Sequence, residues 1–156
     1  MNRKSVTATL LAAALLSGAA MQAAFAAEEK TNPIPGIPSN SLELWGGKEG
    51  VHEWAVALFH FIMLDTRINF LFKEFGNPER QIFLNTQLET MVLGGPNEYQ
   101  GASMTAAHAD LNINMEQFNA VVEAAYNACE RINLHYWTCN QVIAALAPFT
   151  DDIVTR

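Results

Sequence analysis

An all-α domain is predicted by three features of this 156-residue chain. Apolar residues recur at three-and-four spacing in several stretches, turns rich in glycine, asparagine and proline separate those stretches, and nowhere does the strict alternation of a half-buried strand persist. No internal repeat is present, and the length suits one domain.

Taken in order, the first element does not belong to that domain. Arg3 and Lys4 precede an apolar run at residues 10–16, and Ala24-Phe25-Ala26 is a small-x-small cleavage pattern. Residues 1–26 read as a signal peptide cut after Ala26, giving a periplasmic or secreted product. The run is too short and alanine-rich to predict stable membrane insertion, and no cysteine follows it to carry a lipid anchor. Cleavage leaves 130 residues and, with Arg3 and Lys4 gone, takes the formal net charge from −7 to −9. That acidity favours solubility, and the absence of a basic stripe excludes nucleic acid as a partner.

Residues 27–40 hold Pro33, Pro35, Gly36 and Pro38, which rule out a long helix and predict an extended lead-in. The domain proper is expected over 41–156, opening with a short turn capped by Ser39 or Ser41 and closed by Gly46-Gly47. From Lys48 to Leu64 the residues Val51, Trp54, Ala55, Leu58, Phe59, Ile62 and Met63 mark one buried helical face. Gly76-Asn77-Pro78 is a turn that starts the next helix, with Pro78 at its first position and the stripe Ile82, Asn85, Leu88, Val92 running to Gly94-Gly95-Pro96. A loop over 93–102 leads to Met104, Ala107, His108 and Leu111, predicted as a helix of about two turns. Asn114 caps a long helix carrying Phe118, Val121, Val122, Ala125 and Cys129, and a last one runs from Tyr136 through Val142, Ile143 and Leu146 to Phe149.

Chemistry-bearing residues are few. Cys129 and Cys139 are spaced neither as C-x-x-C nor as C-x-x-C-H; in a hairpin turning near residue 134 they either meet as a disulfide or stay two buried thiols. His52, His60, His108 and His135 include no pair four residues apart and no H-E-x-x-H, so zinc is not indicated. His108 sits on the apolar face of Met104, Ala107 and Leu111, where a histidine is either a satisfied core residue or a metal ligand.

One combination of residues bears on that choice. Gly46-Gly47, Asp65, Phe72, Gly94-Gly95-Pro96, Tyr99, Gly101, Met104, His108, Ile113 and Phe118 together resemble the pattern of the truncated haemoglobins, most closely group I, whose fold is a two-over-two helical sandwich. The likeness runs without a gap from Glu79 to Phe149 and needs one extra residue earlier, within 73–77. It implies haem b as cofactor, His108 as the iron ligand through a neutral imidazole nitrogen, and a diatomic ligand (oxygen, NO or CO) on the opposite face. Phe72, Tyr99, Met104, Ile113 and Phe118 match positions that wall the haem.

The distal side departs from the family. A tyrosine usually stands on the second helix where this register places Phe59, which has no hydrogen to donate; a shifted register would place His60 there. Gln81 and Asn85 are the implied polar partners of the ligand, with a solvated helix face as the alternative for both, and Asn85 shares the apolar stripe. Glu89 stands where the family often has an apolar residue beside the ligand tunnel; a carboxylate there either gates or closes that route or points to water, and the second is expected. Whether Gln81 or His60 coordinates iron in the ligand-free state is left open. The resemblance thus implies reversible oxygen binding or transport, with a haem enzyme (nitric oxide dioxygenase or peroxidase-like, served by an electron donor) as the alternative.

Overall fold

The computed structural model describes residues 34–156 apart from Phe75, so the signal peptide and the first part of the lead-in lie outside the described residues. Every regular element among the described residues is helical, as predicted.

Helix α1 (Ser41–Leu44) is a single turn. Its capping position is Asn40 rather than either serine, and no side chain caps it; Ser41 is instead buried within the turn. Gly46 follows in the left-handed region, and α2 (Gly47–Leu64) begins at once. This helix is the spine of the domain. Val51, Trp54, Ala55, Leu58, Phe59 and Ile62 are all buried, the three-and-four stripe foreseen from the sequence. Trp54 Nε1 donates to the Ala125 carbonyl at 3.2 Å, and its ring meets Trp45 edge-on at 5.5 Å, so both tryptophans are fixed against the spine. Asp65 ends the helix, and Arg67 grips its carboxylate while reaching Glu123.

Helix α3 (Asn69–Glu74) is short, and α4 (Pro78–Val92) starts with proline at its first position and the Asn77 side chain accepting from the Arg80 amide. Helix α5 (Met104–His108) is only five residues, shorter than the two turns predicted. Ala109 turns to extended backbone, and Asp110 and Asn112 take positive φ of 63° and 51°, a conformation that short polar side chains tolerate. Helix α6 (Met115–Arg131) opens with a reciprocal capping box between Asn114 and Gln117. Helix α7 (Tyr136–Leu146) runs into a 3-10 turn at Ala147–Phe149 and a last turn, α8 (Thr150–Ile153).

Helix α2 packs on α4 on one side and α6 on the other, and α6 packs on α7. Two antiparallel pairs, α2 with α4 and α6 with α7, thus face each other as the two-over-two sandwich. Cys129 on α6 and Cys139 on α7 form a disulfide across the hairpin, with Cα atoms 6.2 Å apart, which settles the choice the sequence left open. Among the described residues no helix is long and apolar enough to cross a membrane.

Candidate functional site

Between the two helix pairs lies a cavity of about 620 Å³, a size suited to a cofactor. Its wall is mostly aliphatic and aromatic. Trp54, Leu58, Phe59 and Ile62 of α2 form one side, Val121, Val122 and Ala125 of α6 and Val142 and Ile143 of α7 another. All nine residues singled out in the sequence line it: Phe59, Phe72, Gln81, Asn85, Tyr99, Met104, His108, Ile113 and Phe118. Phe59 is 3 % exposed and meets the Phe72 ring edge-on at 5.7 Å. His60, one residue on, is exposed and lies against Phe61 outside the cavity, so this fold presents Phe59 and not His60 at that place.

His108 closes α5. Its Nδ1 lies 2.7 Å from the Met104 carbonyl, and because a carbonyl only accepts, Nδ1 must be the protonated nitrogen. The lone pair is thereby left on Nε2, the arrangement a metal-binding imidazole uses. Three features hold this short element in place. Ser103 caps it, accepting from the Ala106 amide. Thr105 donates to Asp152 of α8 at 2.7 Å, and the amides of Thr155 and Arg156 both donate to the Ile113 carbonyl. The C-terminal end of the chain therefore clamps the segment that carries His108.

Tyr99 folds back so that its hydroxyl donates to the Ala102 carbonyl at 2.9 Å, and burial pushes its phenol above the usual value. A Cβ at Gly101 would overlap the hydroxyl end of the Tyr99 ring, so glycine leaves the room this placement of the tyrosine needs. The loop is held to α4 by Gln87, 4 % exposed, whose Oε1 accepts from the Gln100 amide.

The α4 wall is different in kind. Gln81, Asn85 and Glu89 recur every fourth residue on the face turned to the cavity. Gln81 and Asn85 are partly buried wall residues rather than members of a solvated face. Asn85 Nδ2 donates to the Gln81 carbonyl at 3.0 Å, whereas Gln81 Oε1 is buried with no partner. Gly76 is packed against that carboxamide so closely that a Cβ would overlap it. Glu89 corrects the sequence reading: it does not point to water but is 3 % exposed and lines the cavity, because it shares the face of Gln81 and Asn85. Its Oε2 has no partner, and burial pushes the carboxyl up to about 8. The recurrence at 81, 85 and 89 was the available signal for this orientation. Tyr126, which lines the cavity and stacks on Tyr136 at 5.8 Å, was missed altogether.

These residues suit a flat, largely apolar prosthetic group. The volume fits, the wall is dry, one imidazole offers a free nitrogen, and buried amide and carboxyl atoms wait without partners. Among the described residues no group of three or more His, Cys, Asp or Glu could hold a metal ion by itself.

Comparison with known proteins agrees with that geometry. The pattern of the bacterial-like globin family matches residues 41–155. Among curated proteins, the group 1 truncated hemoglobin of Tetrahymena pyriformis is 37 % identical over 87 residues, which are 55 % of this chain and 70 % of that protein. That of Tetrahymena thermophila is 33 % identical over 81 residues, 52 % of this chain and 66 %, just under two thirds, of its own length. Among solved structures, a tyrosine-to-phenylalanine variant of the Tetrahymena pyriformis truncated hemoglobin in its Fe(III) form superposes with a TM-score of 0.70 at 25 % identity, covering 74 % of this chain and 98 % of that one. The 2/2 hemoglobin of Synechococcus sp. PCC 7002, in the cyanomet state with covalently attached heme, shares the fold with a TM-score of 0.68 at 22 % identity, covering 74 % of this chain and 98 % of that one.

Proposed function

The chain belongs to the bacterial-like globins, in their group I truncated haemoglobin branch, and from that membership we propose a periplasmic or secreted protein that holds haem b through His108 and reversibly binds oxygen, NO or CO. Haem supplies an iron that takes a small diatomic molecule. The single observation that carries the assignment of His108 is its bond to the Met104 carbonyl, which fixes the tautomer and aims the choice of ligand atom at Nε2.

The remaining residues divide the work. Phe72, Met104, Ile113 and Phe118 exclude water and pack the faces of the group. Gln81 and Asn85 supply hydrogen bonds to a ligand that gathers negative charge, while Phe59 supplies none. Binding is favoured over turnover because that missing hydroxyl shortens the stay of oxygen, and oxidation of nitric oxide needs oxygen to wait. The signal peptide over 1–26, the lead-in over 27–40 and the domain over 41–156 remain the proposed organisation, and the Cys129–Cys139 disulfide supports an oxidising compartment.

Optical spectra of the purified full chain, reduced and then exposed to carbon monoxide, test the reading. A Soret band that shifts on carbon monoxide addition is expected; a colourless protein that takes up no added haem overturns it.

A further inference from the structure

Three aromatic pairs among the described residues touch the cavity wall, and they end in different places. Trp54 on the wall meets Trp45, which is buried, so that pair stops inside the core. Phe59 and Phe72 both line the cavity, and their phenyl rings give up an electron far less readily than a phenol does. The third pair differs on both counts. Tyr126 of α6 lines the cavity and stacks on Tyr136 of α7, with centroids 5.8 Å apart and planes 18° from parallel, and Tyr136 is 68 % exposed. Two oxidisable rings thus join the cavity to solvent. The Cys129–Cys139 disulfide lies about one helical turn from each tyrosine and ties the two helices together beside the stack.

The two phenols stand in unlike surroundings. Tyr126 donates to Asn140 Oδ1 at 2.6 Å, and burial, then the neighbouring Tyr136, holds its phenol above the usual value. An amide oxygen is too weak a base to take a phenol's proton, so Tyr126 cannot settle as a neutral radical. Tyr136 opens α7 and meets water, which takes that proton. Oxidation that begins at Tyr126 therefore comes to rest on Tyr136. The path has one direction: a phenol ring loses an electron far more easily than it gains one, so the pair serves an oxidant in the cavity and not the reduction of iron.

Accepting the haem reading, we propose that Tyr126 and Tyr136 carry electrons from the surface into the haem cavity, so that Tyr136 oxidises small phenols one electron at a time with hydrogen peroxide as the oxidant. Peroxide reduced to two waters takes up two electrons and two protons. Each electron passes from Tyr136 through Tyr126, and the Tyr136 proton goes to water. A phenol at the surface then restores Tyr136 by giving up its hydroxyl hydrogen. One peroxide and two phenols yield two waters and two phenoxyl radicals, with protons exchanged through solvent. Methoxyphenols suit as donors because their electron-releasing substituent makes them easier to oxidise than tyrosine.

Spin trapping tests the path. The full chain loaded with haem is mixed with peroxide and a nitroso spin trap, and the adduct is located by peptide mass mapping among the three tyrosines of the chain. It should fall on Tyr136 and disappear when 2-methoxyphenol is present. Counted per bound haem, it should be lost in Tyr126→Phe, which keeps a ring in the stack but not one that oxidises readily. Tyr136→Phe should keep the haem content and the carbon monoxide spectrum of the wild type while losing oxidation of 2-methoxyphenol. An adduct missing from Tyr136, or one there that ignores both the methoxyphenol and Tyr126→Phe, overturns the path. A chain that takes up no haem overturns the globin function together with it, whereas a haem-loaded chain that fails these measurements overturns the path alone.

Discussion

On the α5 wall of the cavity the polar atoms other than His108 Nε2 have partners, whereas on the α4 wall two buried ones have none. His108 Nδ1 is bonded to the Met104 carbonyl and the Tyr99 hydroxyl to that of Ala102, and the segment is clamped by α8 through Thr105 and Asp152. Across the cavity Gln81 Oε1 and Glu89 Oε2 are buried and unsatisfied. Buried polar atoms are nearly always paired in folded proteins, so the orphans mark where something outside the chain completes the wall. The α5 side is built to hold one atom in one direction, and the α4 side is built to receive.

The comparison breaks most completely if His108 is not the anchor. His108→Ala should abolish stoichiometric haem retention, and His108→Gly should recover it when imidazole is added in solution. Retention and spectrum unchanged in the alanine variant would reduce the α5 wall to ordinary core.

The next effect concerns stability rather than ligand. Glu89 has an ordinary value of 4.5 in the unfolded chain and about 8 in the fold, so between those pH values the folded state holds a proton that the unfolded state has lost. Folding stability contributed by this group is therefore highest below about pH 4.5, declines as pH rises, and levels off above about 8. Denaturant unfolding of the wild type at pH 5 and pH 8 should show that decline, and Glu89→Gln should flatten it. Equal slopes in the two proteins would mean that Glu89 is solvated after all.

Within the α4 wall, Gln81 and Asn85 should not be equivalent. Asn85 Nδ2 already commits one hydrogen to the Gln81 carbonyl, whereas the Gln81 carboxamide can turn about its last bond to present its NH2 as the donor to a ligand. Gln81→Leu is expected to speed oxygen dissociation by about 1 to 3 kcal/mol, roughly 5-fold to 150-fold, and Asn85→Leu by less. Stopped-flow release rates in the opposite order would assign the ligand contact to Asn85, as its place on the apolar stripe suggested.

How much of this could be read beforehand follows from which forces write themselves into sequence. Helix α2 was legible because burial repeats every three to four residues, and the start of α4 because proline fits only the first turn. The true length of α5 was not legible, since Asp110 and Asn112 end it by a left-handed backbone that their polar side chains permit but do not announce. The disulfide was half legible, as spacing allowed it and only the hairpin geometry decided it. Glu89 went the wrong way because a carboxylate's preference for water was weighed above its helical position. Its four-residue step from Asn85 was the better guide. Tyr126 left no mark beyond an α6 stripe in which any large residue would fit.

Phe59 gives the smallest and sharpest test. It is 3 % exposed, set edge-on against Phe72, and lines the cavity. Phe59→Tyr adds one hydroxyl to a wall that has none, moving α2 toward the receiving character of α4. If a ligand accepts from it, oxygen release should slow by about 1 kcal/mol, about fivefold, and the carbon monoxide rate should move less because that ligand is a weaker acceptor. If nothing accepts, the hydroxyl is buried without a partner and should instead lower folding stability by about 1 to 3 kcal/mol. Measuring both quantities on the same variant separates the two cases: a slower release with unchanged stability places Phe59 beside the ligand, and an unchanged release with lost stability places it in the core behind.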